Sequence, residues 1–224
     1  MECPASAPGF FGKLPSHGDF IGRGLPPAVR DCFDRWLQEA LLHGKQSLGA
    51  QWMPAWLNGP LWRFVVSAGV CGPQAWAGVL MPSHDRVGRC FPLLLAAGMA
   101  RPPSLDDCLD RHDAWFASLE ELALASLDEG CGLVGLEDGL RLAVHVPGAP
   151  RARQRASLQA WSDTAAVNEL GGSGMQRRSA WWTDGAAHLP PALAICEGLP
   201  APDAFLAFLD GRWRGHGWCP VAYP

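Results

Sequence analysis

Two short stretches of this 224-residue chain concentrate the side chains that can hold a proton, bind an anion or ligate a metal. The first runs Lys13-Leu14-Pro15-Ser16-His17-Gly18-Asp19-Phe20 and closes with Gly22-Arg23-Gly24. The second runs Pro82-Ser83-His84-Asp85-Arg86-Val87-Gly88-Arg89 and leads into an apolar stretch at Phe91. Ser, His and Asp together raise acyl transfer, in which a His base activates a hydroxyl and a carboxylate orients the His. Consecutive residues do not converge in that way: Ser83, His84 and Asp85 diverge on a strand or turn, and no G-x-S-x-G elbow occurs. Phosphate binding is suggested by Gly18, Gly22 and Gly24 near Lys13 and Arg23, but the cluster lacks the glycine spacing and helix order of a P-loop or dinucleotide fold. His17 and His84 with Asp19 and Asp85 would supply the donors of a two-His, one-carboxylate iron site, although nothing in their spacing sets a geometry. A structural role needs less: Asp and Ser cap backbone N–H groups, glycines turn the chain, and an Arg–Asp pair ties two loops together. The readings differ in a checkable way. A ligand site requires Lys13, Asp19, Asp85, Arg86 and Arg89 to converge on a solvent-filled pocket, whereas a structural role pairs acid with base and leaves no room.

Both stretches must be held at strand ends, where α/β folds commonly bind ligands. A first strand is predicted near Gly9 to Leu14. Pro26-Pro27 then open a helix whose stripe of Val29, Cys32, Phe33, Trp36, Leu37, Ala40 and Leu41 ends at Gly44. Strands are expected over Leu61 to Ala68, Ala75 to Met81 and Phe91 to Met99, the first two antiparallel across the short Gly69 to Pro73 connection. The third is apolar throughout, as in a strand covered on both faces. A long helix is predicted from Ser104 through Leu127, a strand pair from Gly132 to Leu136 and Leu140 to Val146, and a helix from about Pro150 to Glu169. Late strands at Ser179 to Thr183 and Leu193 to Cys196 and a short helix at Asp203 to Leu209 complete the chain. The fold class is thus α/β, with residues 1–224 as a single three-layer α/β/α domain around a central mixed sheet.

Composition narrows the function. A formal charge of -4 disfavours a nucleic-acid partner, which calls for a concentrated basic field. The longest apolar run, Phe91 to Ala100, is far short of the ~20 residues that span a bilayer, and no leader pattern opens the chain, so a cytoplasmic protein with no membrane span is expected. The eight cysteines are scattered with no C-x-x-C pair, which reads as buried reduced thiols and no metal site. Eleven tryptophans against one tyrosine is unusual. Trp36 and Trp115 fall on helix stripes, whereas Trp52, Trp56, Trp181, Trp182, Trp213 and Trp218 fall near turns and connections. There they either roof the core or stand exposed as interface anchors, with Trp52, Trp56, Trp181 and Trp182 the leading interface candidates.

The two polar stretches, with Asp34-Arg35-Trp36-Leu37-Gln38, Pro60-Leu61-Trp62-Arg63-Phe64, Phe91-Pro92-Leu93 and the late Ser179-Ala180-Trp181-Trp182-Thr183-Asp184-Gly185, resemble the TagF family of type VI secretion-associated proteins. His84 stands where that family often carries an apolar residue, so it inherits no shared role. The resemblance implies a non-enzymatic, post-translational repressor of type VI secretion that binds the system's forkhead-associated scaffold protein, with no cofactor and no catalytic residue. The alternative from the residues themselves is a small hydrolase or phosphate-binding enzyme using the Lys13–Asp19 and Ser83–Arg89 loops.

Overall fold

The computed structural model describes residues 8–99, 105–110, 112–128, 132–143, 158–163 and 177–222. Among the described residues nine strands form one sheet: β1 (Gly9–Gly12), β2 (Ile21–Arg23), β3 (Trp62–Val66), β4 (Ala75–Met81), β5 (Leu93–Met99), β6 (Gln159–Ser162), β7 (Arg178–Thr183), β8 (Ala192–Glu197) and β9 (Cys219–Val221). Their order is β2-β1-β5-β4-β3-β7-β8-β6-β9. Every pairing is antiparallel except β6 with β8, so the sheet is mixed. The described helices are α1 (Pro27–Leu48), α2 (Trp52–Leu57), α3 (Leu105–Asp110), α4 (Asp113–Ala125), α5 (Gly132–Leu142) and α6 (Ala207–Asp210).

Alternation along each strand sorts side chains between two apolar clusters, as the two-residue period of a pleated strand requires. Trp62, Phe64, Val66, Leu80, Leu94, Ala96 and Trp181 join Phe33, Trp36 and Leu37 of α1, Trp56 of α2 and Phe208 of α6. Val65, Val79, Leu93, Leu95, Ala97 and Trp182 join Cys108 of α3, Trp115, Phe116 and Leu119 of α4, and Leu136 and Leu140 of α5. β5 lies between β1 and β4 and is buried along its whole length, which accounts for its unbroken apolar sequence.

Several elements differ from the sequence expectation. Helix α1 continues past Gly44, where the glycine serves packing and not termination: it faces the Trp52 ring, and a Cβ there would come within 2.5 Å. The chain ends the helix instead at Gly49, in a left-handed φ of 51°. The long helix divides into α3 and α4, the backbone turning at His112, and its expected start at Ser104 lies outside the described residues. The strand pair beginning at Gly132 is helix α5: Leu133, Leu136 and Leu140 fall on one helical face, and Gly139, expected in a hairpin turn, packs against Leu122 of α4. Segment 144–146 of that pair lies outside the described residues. Within the expected helix of 150–169, residues Gln159–Ser162 are strand β6, a four-residue apolar segment paired on both edges; residues 150–157 and 164–169 are not described.

The cysteines also differ. Cys32 of α1 and Cys71 of the β3–β4 connection are joined as a disulfide, which neither their wide spacing nor the reduced-thiol reading anticipated. Cys90, Cys108 and Cys196 are free and buried. Desolvation raises the Cys196 thiol to about 12, against the opposing hydrogen bond with Ser179.

Candidate functional site

The sheet order brings the two motif loops together. Lys13 to Phe20 connects β1 to β2, and Pro82 to Pro92 connects β4 to β5. Since β5 pairs with both β1 and β4, with Phe11 opposite Leu94 and Met81 opposite Leu93, both loops leave the sheet at the same end. Gly12 makes this approach possible: its φ is 143°, and a Cβ there would strike the backbone of Pro92.

Asp85 is the centre of the assembly and is fully buried. Its Oδ2 accepts from Lys13 Nζ at 2.9 Å and from Arg89 Nε at 2.6 Å. Its Oδ1 accepts from the backbone N–H groups of Val87 at 3.1 Å and Arg89 at 2.8 Å. Two donors on each oxygen use the full acceptor capacity of a carboxylate. Burial alone would push the Asp85 carboxyl up, but the donors from Lys13, Arg89 and Val87 outweigh it and hold the group well below its ordinary value. Around this centre, Ser83 Oγ donates to the Lys13 carbonyl at 2.8 Å, Arg86 N–H to the His17 carbonyl at 2.8 Å, and Arg89 Nη2 to the Gly18 carbonyl at 2.6 Å. Trp56 of α2 donates its indole N–H to the Ser83 carbonyl at 2.9 Å.

The remaining candidates have different surroundings. His17 Nδ1 bonds Ser16 Oγ at 2.9 Å, and His84 Nδ1 bonds the Asp85 carbonyl at 2.9 Å. Neither of these hydrogen bonds involves the Ser83 hydroxyl, which donates to the Lys13 carbonyl. Asp19 is exposed, between Gly18, which accepts from Arg89, and Phe20, whose ring lies under Lys13, and Arg23 pairs with Glu137 at 2.8 Å. Lys13, Asp85 and Arg89 thus form mutual pairs, and Asp19 stands exposed beside them. A groove of about 690 Å³ lies elsewhere, lined by Cys32, Arg35, Cys71, Arg177 and Glu197, and holds no residue of either motif loop.

The four tryptophans expected as interface candidates are buried: Trp52, Trp56, Trp181 and Trp182 all sit in the two apolar clusters, as do Trp213 and Trp218. Trp52 and Trp56 belong to helix α2 and Trp181 and Trp182 to the interior of β7, so the expected position in connections or near turns does not hold for these four. Trp62 of β3 donates to the Phe208 carbonyl at 3.1 Å, which binds α6 to the sheet, and Trp218 donates to the Ala204 carbonyl at 2.9 Å, which joins two C-terminal segments.

One polar centre was missed as a centre. Arg63 of β3 is buried, and its guanidinium donates to Glu120 twice at 2.6 Å and to Asp113 at 2.5 Å, both on α4, with Asp184 at 3.8 Å. Desolvation would lower the Arg63 pKa, yet these carboxylates raise it. Two signals were readable: a charged residue inside the apolar run of β3, and acids seven residues apart, which share a helix face.

Residues 9–142 match the family described as TagF N-terminal domain, Type VI secretion system-associated. The fold is similar to the crystal structure of PA0076 from Pseudomonas aeruginosa PAO1, with 32% sequence identity and a TM-score of 0.76 over 97% of this chain and 98% of that one. No curated protein matches the sequence.

Proposed function

Since this chain belongs to the TagF N-terminal domain family of type VI secretion system-associated proteins, we propose that it represses that system after translation by binding its forkhead-associated scaffold protein. The family match over residues 9–142 carries this reading. It is a binding role without catalysis and without a cofactor: Asp85, the most conspicuous acid of the motif loops, has all its acceptor positions occupied by the protein's own donors. The hydrolase or phosphate-binding alternative needs that carboxylate, or the lysine and arginine paired to it, to face a ligand. The protein works from the cytoplasm in this reading, and no described helix is long and apolar enough to cross a membrane. It acts as one three-layer domain, with α1, α2 and α6 packed in one cluster and α3, α4 and α5 in the other.

The test is co-purification of the full chain with the scaffold protein, alongside secretion assays in cells lacking or overproducing the chain. Retention of the scaffold and a fall in secretion on overproduction are expected. A wild-type chain that retains no scaffold, or that leaves secretion unchanged, overturns the reading.

A further inference from the structure

The motif loops hide their acid and display something else. Among the large hydrophobic side chains exposed in the described residues, Phe20 is 49% exposed, Val87 70%, Met53 43% and Leu57 61%. Local contacts place these around one end of the sheet. Phe20 packs its ring 4.7 Å from that of Phe91, the next residue Cys90 lies with its sulfur 3.5 Å from that of Met53, and Leu57 follows Met53 by one turn of α2. Val87 sits at the tip of the turn closed by Asp85.

Cations lie beside the patch. The side chains of Arg86 and Arg89 are exposed, and a Cβ on Gly18 would lie 3.5 Å from the Arg86 guanidinium, which places Arg86 over the Gly18–Phe20 segment. Lys45 of α1 lies over the Trp52 ring at 5.9 Å and acts electrostatically on Cys90. Lys13 is consumed by Asp85, and Asp19 is the acid of the two loops left exposed. A chain with formal charge -4 thus places Arg86, Arg89 and Lys45 beside exposed apolar groups, with Asp19 as the one exposed acid of the two loops among them.

A buried ion pair is a costly way to stabilise a fold, because desolvation offsets most of the attraction. What the Lys13–Asp85–Arg89 network does supply is a fixed geometry for two loops 72 residues apart, and Arg and aromatic groups held rigid are effective interface anchors. We infer that the Phe20, Met53, Val87 and Arg86 face is the docking surface for the scaffold protein, and that it receives an acidic segment carrying apolar side chains. Carboxylates suit it better than a phosphate group. Arg86 and Arg89 both reach Gly18, but Arg89 is already committed to Asp85 and to the Gly18 carbonyl, which leaves Arg86 to meet the partner's charge beside the apolar groups, a setting for dispersed carboxylates more than for one dianion.

This inference rests on the proposed scaffold binding and deepens it. The experiment compares scaffold affinity of the wild-type full chain with Arg86→Glu, Val87→Glu and, on helix α5 of the other apolar cluster, Val134→Glu, each checked by circular dichroism and melting temperature. All three positions are exposed, so folding is expected to survive. The expected result is at least a tenfold loss for each of the first two, no change for Val134→Glu, and a salt dependence that is shallower in Arg86→Glu than in wild type. Wild-type affinity in both loop variants overturns the surface and leaves scaffold binding standing. Absence of wild-type binding overturns both, and loss of binding after phosphatase treatment of the scaffold overturns the carboxylate partner.

Discussion

At the scale of single residues, Asp85 decides how the motif loops behave. Replacing it with Asn leaves the Lys13 ammonium buried without a counter-charge, for which a loss of about 3–5 kcal/mol is expected. The pH dependence follows from the direction of its shift. Because the folded pKa lies below the ordinary carboxylate value near 4, its contribution is complete above that value and disappears as pH falls toward the folded one. Urea midpoints of wild type and Asp85→Asn should therefore differ most near neutrality and draw together below about pH 4. An Asp85→Asn gap that persisted unchanged at pH 3 would contradict the ion-pair account. The sequence marks Asp85 as a candidate, and pairing with a base is one of the two arrangements its loop allows. Which base it would take was not legible, because Lys13 lies 72 positions away and the register of three strands brings it there.

At the scale of elements, α1 is held to the sheet by two different means. Its apolar stripe packs on β3 and β7, with Phe33 5.4 Å from Phe64 and Trp36 5.3 Å from Trp181, and the Cys32–Cys71 disulfide fixes its first half to the β3–β4 connection. The bridge closes a sequence separation of 39 residues, and the chain-entropy model assigns about 4 kcal/mol to a loop of that size. A reductant should lower the thermal midpoint of the wild type, while a Cys32→Ser variant melts near the reduced value and ignores the reductant. An equal midpoint in all four conditions would show that α1 needs no tether. The α1 stripe, β4 and the fully apolar β5 were plain in the sequence because their periods are local. Helix α5 was not: Glu137-Asp138-Gly139 is an ordinary turn sequence, and only the neighbouring Leu122 shows that Gly139 is there to let two helices approach.

At the scale of the whole molecule, the tryptophans form a second framework inside the first. Ten of the eleven are buried and Trp161 is half-buried, stacked 5.5 Å from Trp213. Iodide or acrylamide should therefore quench only a small part of the native emission, and much more after unfolding. Quenching of the native protein as strong as that of the unfolded chain would contradict this packing. The composition signalled that aromatic packing dominates this protein, yet burial is a property of the folded surface and could not be read from positions near turns. The sequence by itself determined the family through its ordered motifs, the α/β class, and the strands and helices whose apolar periods are complete within a few turns of chain. Tertiary structure alone decided that Asp85 faces Lys13 and Arg89, that Cys32 meets Cys71, and that Phe20 and Val87, rather than any of the tryptophans expected near turns, stand at the surface. Each of those outcomes depends on which strands become neighbours, and strand order is set by the packing of the whole sheet.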